Sequence, residues 1–163
     1  MSDIEMIYET LEGKHYVTPY HRKHGTESAL ILTMYNEKKA LKAIRKIRDR
    51  IRNKTVVEIG AGVGYLAIAM AEYAKNVIAI EVDPGWSWYF VEYLYRHKPK
   101  NLIWIFGDAR EIVKYIKTDV AVICSLSGIE SMKKIAERMA TEIILFWQED
   151  KKKNGGNENI EKT

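Results

Sequence analysis

Cysteine is almost absent from this chain: Cys124 is alone among 163 residues, so no internal disulfide can form and a reducing compartment suits it. No apolar run reaches the roughly 20 residues that a membrane helix needs. The start, Met1-Ser2-Asp3-Ile4-Glu5, is acidic and carries no contiguous apolar stretch, so secretion is not indicated and a cytoplasmic location is expected. Zinc-ligand spacing is missing as well, and no metal is expected. Nor is there a large excess of one charge: 26 Lys and Arg against 22 Asp and Glu leave +4, a tilt toward polyanionic partners that decides nothing alone. The length is that of one domain with a sizeable core.

What the chain does have is concentrated between residues 55 and 64. Thr55-Val56-Val57-Glu58-Ile59 is a short β-branched strand, and Gly60-Ala61-Gly62-Val63-Gly64 follows with three glycines spaced two apart. Tyr65 to Ala74 then has helix-forming composition without Pro or Gly. A strand feeding a helix through glycines lets backbone approach a ligand closely, at the positive end of the helix dipole. A nucleotide-like cofactor suits that place. In the dinucleotide pattern GxGxxG a glycine would stand at position 65, where this chain has Tyr65. Glu58, two residues before the first glycine, would repel a pyrophosphate but could pair with a cation such as an amino acid's ammonium.

With Glu58-x-Gly60-x-Gly62-x-Gly64 the chain resembles motif I of the class I (Rossmann-like) S-adenosylmethionine-dependent methyltransferases. It looks like a short archaeal-type member of the kind expected to methylate RNA. Two later segments agree with the resemblance. Asn76-Val77-Ile78-Ala79-Ile80-Glu81 is a second β-branched strand whose terminal acid is placed to accept the ribose hydroxyls. Asn101 to Phe106 is a third strand, followed by Gly107-Asp108-Ala109. The resemblance implies that Val82 lies against the adenine, that the Asp108 carboxylate takes its amino group, and that the Ala109 N–H meets a ring nitrogen. The cofactor-binding set it implies is Glu58, Gly60, Ala61, Gly62, Gly64, Tyr65, Glu81, Val82, Asp108, Ala109 and Cys124, with S-adenosylmethionine as the cofactor.

The remaining segments complete an alternating pattern. Ser2 to Leu11 has the capping-box spacing and apolar face of a short helix. Lys14 to Gly25 mixes three histidines with tyrosines and basic residues, and either grips phosphates and bases or folds its tyrosines onto the core. From Thr26 a long helix is expected to about Arg52, with Leu30, Met34, Leu41, Ile44, Ile47 and Ile51 buried. Lys38, Lys39, Lys42, Arg45 and Lys46 gather on its other side, so residues 38–52 are a candidate RNA surface. An aromatic-rich helix follows Asp83-Pro84-Gly85 and ends before Pro99. Ala109 to Lys117 and Ile129 to Ala140 read as helices, Asp119 to Ser125 and Glu142 to Trp147 as strands.

Five strands alternating with helices imply an α/β, doubly wound, mainly parallel sheet of order 3-2-1-4-5 with helices on both faces. The organisation expected is an N-terminal helical or lid segment over 1–54, a Rossmann-like cofactor domain over 55–149, and a disordered tail over 150–163. The resembled family continues with a sixth and a seventh strand, which have no counterpart here. Residues 143–147 would then form an apolar edge, covered by a second protomer, a partner protein or the N-terminal segment. The segment after the fourth strand, Cys124-Ser125-Leu126-Ser127-Gly128, lacks the Asn or Asp with prolines and an aromatic that members methylating exocyclic base amines usually carry. Cys124 is either a nucleophile or a small buried hydrophobe, and no catalytic base is identifiable. The leading expectation is methyl transfer to RNA or an RNA-associated acceptor. Transfer to a small molecule or protein side chain, and a non-catalytic cofactor-binding scaffold, are the alternatives.

Overall fold

The structure, a computed structural model, describes residues 37–124 and 129–146. Helix α1 (Glu37–Ile51) leads into strand β1 (Thr55–Ile59). Then come α2 (Tyr65–Ala71), β2 (Asn76–Glu81), α3 (Pro84–His97) and β3 (Leu102–Phe106). A short α4 (Ala109–Ile112) runs into a 3₁₀ turn (Val113–Tyr115), followed by β4 (Thr118–Ile123), α5 (Ile129–Met139) and β5 (Ala140–Leu145). The strands pair in the order β3-β2-β1-β4-β5, every pair parallel, as the alternation of strands and helices requires.

Period-two alternation along β1 divides the core. Val56 joins a cluster with Ala40, Ile44, Ile47 and Ile51 of α1, Leu66 and Met70 of α2 and Phe90 of α3. Val57 and Ile59 point the other way, onto Ala109, Val113, Ala136 and Met139. The sheet therefore has helices on both faces, and burying each large aliphatic side chain contributes about 1.5–3 kcal/mol.

Several sequence expectations shift at their edges. Leu41, expected in the buried stripe of the first helix, is 42% exposed. One residue is a 100° step around a helix, and Ala40, Ala43, Ile44, Ile47 and Ile51 form the inward stripe instead. Their alanines let α1 lie close to α2. The helix expected over 109–117 gives way to a 3₁₀ turn at Val113. The last strand begins at Ala140, two residues earlier than expected, and ends at Leu145. Its apolar residues are also less bare than a naked edge implies, since Ile144, Leu145 and Phe146 are buried within the domain's own core. Leu30, Met34, the 14–25 loop, the 125–128 segment, Trp147 and the 150–163 tail lie outside the described residues.

The turns at the N-terminal end of the sheet are laced together. Asn53 N–H donates to the Tyr73 carbonyl at 3.2 Å, Lys75 N–H to Lys54 at 2.9 Å and Val77 N–H to Asn101 at 2.8 Å. The Asn101 amide adds bonds to the carbonyls of Ala71 and Ala74. Among the described residues, no helix is long and apolar enough to cross a membrane.

Candidate functional site

The C-terminal ends of β1, β2 and β3 bring the predicted residues together. Gly60, Gly62 and Gly64 all take positive φ, at 74°, 59° and 89°, conformations that any side chain would make costly. The three are not equivalent. A Cβ on Gly62 would meet nothing within 4 Å, so this glycine borders open space. A Cβ on Gly64 would overlap the Phe90 ring, which is fully buried and stacks on Trp104 at 4.0 Å between ring centroids. Gly62 leaves room for a ligand, whereas Gly64 leaves room for the protein's own aromatic packing.

Four of the turn's five N–H groups are turned onto the protein itself. Gly60 and Ala61 both donate to the Ile80 carbonyl, Gly64 to the Ala61 carbonyl, and Gly62 to Glu81 Oε2 at 2.7 Å. A diphosphate needs such donors turned outward, and these four face inward. It is ringed by carboxylates instead: Glu58 and Asp83 are 1% exposed and Glu81 is 6% exposed.

Glu81 ends β2 and straps the turn. Its Oε1 accepts from Asp83 N–H at 2.8 Å while Oε2 holds Gly62. Burial pushes its pKa up, against the pull of those backbone donors. A carboxylate offers about four lone-pair positions, which leaves capacity for a ligand hydroxyl. Glu58 sits behind the turn rather than on its surface. Its carboxyl interacts with the Ala67 backbone in the first turn of α2, and its Oε2 has no partner among the described residues. Burial, reinforced by the neighbouring Glu81, raises its pKa well above the usual carboxylate value. An orphaned buried oxygen beside two more acids is a place for positive charge.

Asp108 is placed differently from the other acids. Its side chain caps α4 by accepting from Arg110 N–H at 2.9 Å and also pairs with the Arg110 guanidinium, which holds its pKa below the usual range. Val82 and Tyr65 are half-buried, while Ala61, Ala109 and Cys124 are buried, Cys124 at the end of β4 in the α1–α3 core. Sequence reasoning read Asp83 as part of a turn and missed it as a site acid. Its signal was the Asp-Pro step opening a helix, directly after a strand-terminal acid. Phe90 was hidden among six aromatic residues of one helix. Among the described residues, no cluster of His, Cys, Asp or Glu could hold a metal ion.

A cationic, hydroxyl-bearing nucleoside fits this chemistry: open space at Gly62, an acceptor at Glu81 and, beneath, a Glu58 oxygen with no hydrogen-bond partner among the described residues. The fold is that of the class I S-adenosylmethionine-dependent methyltransferases. The chain belongs to the TRM5/TYW2 methyltransferase domain family, whose model matches residues 20–153.

The tRNA (guanine(37)-N(1))-methyltransferase Trm5b of Pyrococcus abyssi is 29% identical over 118 residues, covering 68% of this chain and 36% of that protein. The tRNA(Phe) (4-demethylwyosine(37)-C(7)) aminocarboxypropyltransferase of Methanocaldococcus jannaschii is 39% identical over 62 residues, 37% of this chain and 25% of the relative. Among solved structures, M. jannaschii TYW2 in complex with AdoMet matches with a TM-score of 0.55 at 24% identity, over 62% of this chain and 48% of that one. The chain spans 19% to 36% of the length of the curated relatives it matches.

Proposed function

We propose that this chain binds S-adenosylmethionine in the crevice above β1 and β2 and transfers its methyl group to RNA or an RNA-associated acceptor. The observation that carries the reading is the glycine turn whose donors at Gly60, Ala61, Gly62 and Gly64 are satisfied internally and whose surroundings are buried carboxylates. That arrangement repels an anionic dinucleotide and favours a cation. When bound, S-adenosylmethionine supplies a carbon made electrophilic by the attached sulfonium, so the protein's task is positioning and exclusion of water.

Each residue then has a part. Glu81, held rigid by Gly62 and Asp83, accepts the ribose hydroxyls. The backbone at Gly60, Ala61 and Gly62, with Tyr65 behind it, walls the methionine portion, while Gly64 keeps the turn seated on Phe90. Glu58 and Asp83 supply negative potential beneath the ammonium. Val82 and Ala109 flank the adenine, with Asp108 near its amino group, and Cys124 closes the floor at β4. RNA as the acceptor is supported by the names of the relatives and by exposed Lys42, Arg45, Lys46 and Arg48 along α1. A second protomer or partner on the outer edge of β5 and a cytoplasmic location belong to the same reading, supported by the position of β5 at the sheet's margin and by the single buried cysteine.

The M. jannaschii relative makes one rival specific, because its name describes transfer of the aminocarboxypropyl group. Incubating the chain and unfractionated tRNA with S-adenosylmethionine labelled either in the methyl carbon or in the carboxyl carbon separates the two. Label in RNA from the methyl form alone is expected. Label from the carboxyl form alone would replace methyl transfer with the rival. Label from neither, with calorimetric binding retained, would leave a non-catalytic cofactor-binding module.

A further inference from the structure

The end of the sheet opposite the crevice has a charge of its own. Three turns meet there: 52–54 between α1 and β1, 72–76 between α2 and β2, and 96–101 between α3 and β3. The hydrogen bonds from Asn53 to Tyr73, Lys75 to Lys54 and Val77 to Asn101 set them side by side in that order. Their sequences bring Arg52, Lys54, Lys75, Arg96, Lys98 and Lys100 into one row, with Glu72 the single acid among them. All but Lys54 of these cations are exposed, and Lys54 is committed to Glu142 at 2.9 Å. Arg52 lies over the Tyr73 ring at 5.9 Å, His97 stacks on Tyr93 at 4.5 Å, and Tyr95 is 76% exposed, so the row also offers flat side chains.

Helix C-termini attract cations, and this accounts for Arg96 at the end of α3. It does not account for Lys75, Lys98 and Lys100, which lie beyond the helices. Lys98 is the more telling because its φ is 43°, a conformation disfavoured for any residue with a Cβ. Its N–H still closes α3 on the Leu94 carbonyl. Glycine would fit there without strain, yet the tip of the turn carries a lysine.

We propose that these three turns form a docking platform for the phosphate backbone of an RNA whose reactive part lies in the crevice at the other end. The inference rests on the RNA reading above and adds a second contact region to it. Strands of five or six residues separate the two ends by roughly 20 Å, about six nucleotide steps of a strand at 3.4 Å each. One RNA can therefore touch both. Fixed cations on hydrogen-bonded turns favour a polyanion over a single phosphate.

The test is fluorescence anisotropy of the full chain with labelled unfractionated tRNA across a salt series. The variant is Lys75→Glu, Lys98→Glu and Lys100→Glu combined, with the Lys→Gln set as a milder counterpart. A charge-matched control carries Lys114→Glu, Lys133→Glu and Lys134→Glu on the other helical layer. At about 100 mM salt the platform variant is expected to bind at least tenfold more weakly, with its log–log salt slope shallower by about two to three. The Gln set should fall between it and the wild type, and the control should bind as the wild type does. Unchanged S-adenosylmethionine affinity and melting temperature keep the comparison free of misfolding. Equal RNA binding by wild type and platform variant overturns the platform and leaves the RNA reading intact. An equal loss in the control overturns it too. A wild type that binds no RNA removes both.

Discussion

Two glutamates on different strands of one sheet, the central β1 and the edge β5, show how differently the same side chain is treated. Glu142 on β5 is served by Arg50 at 2.7 Å and Lys54 at 2.9 Å, and these partners hold its pKa below the ordinary value. Glu58 on β1 is buried, faces another acid, and keeps one oxygen without a partner among the described residues. The first is a carboxylate the fold has made comfortable. The second is retained at a cost to the fold, as expected where a ligand completes the environment.

Gly64→Ala should show the largest effect, because it adds both backbone strain and a collision with Phe90. A loss on the order of 3–5 kcal/mol in urea unfolding is expected. Gly62→Ala carries the strain alone, about 1–2 kcal/mol, and should remain folded while calorimetric affinity for S-adenosylmethionine drops. If both variants lost the same stability, the division of labour between the two glycines would be wrong.

Glu81→Ala removes a ligand acceptor and the strap on Gly62. The cofactor dissociation constant should rise by about one to two decades, on the order of 1–3 kcal/mol, and unchanged affinity would displace the crevice from its assigned position.

The two glutamates should also leave opposite marks on the pH dependence of melting. Glu58 has a raised folded-state pKa, so the folded protein binds its proton more tightly than the unfolded chain does. Its contribution is therefore full below about pH 4.5, the unfolded value, and erodes as pH rises. Glu58→Gln should flatten the fall of melting temperature as pH rises above about 4.5. Glu142 has a lowered pKa, so its contribution is present above about pH 4.5 and lost as pH falls further. Both its partners are more than a third exposed, and Glu142→Gln should cost the least, under about 1 kcal/mol at neutral pH. A flat profile for the wild type above pH 5 would deny Glu58 its burden.

The order of strands was readable because β-branched runs such as Val77 to Ile80 and Val120 to Ile123 alternate with helical stretches, and parallel pairing leaves few topologies. The glycine turn and Glu81 were readable because both depend on local spacing. The inward face of α1 was harder, since Ala40 and Ala43 carry little hydrophobic signal and Leu41 carries much. The separate duties of Gly62 and Gly64 needed the position of Phe90, 26 residues beyond Gly64. The basic platform could not be read at all: Arg52, Lys75 and Lys98 are remote in sequence, and only bonds between their turns align them.

Phe90 has one more consequence. Its ring lies between the backbone of Gly64 and the indole of Trp104, so the bend that walls the crevice is linked by two contacts to an edge strand carrying a fluorophore. Emission from Trp104, isolated by replacing the other tryptophans with phenylalanine, becomes an optical gauge of how the bend settles, readable without touching any residue that lines it.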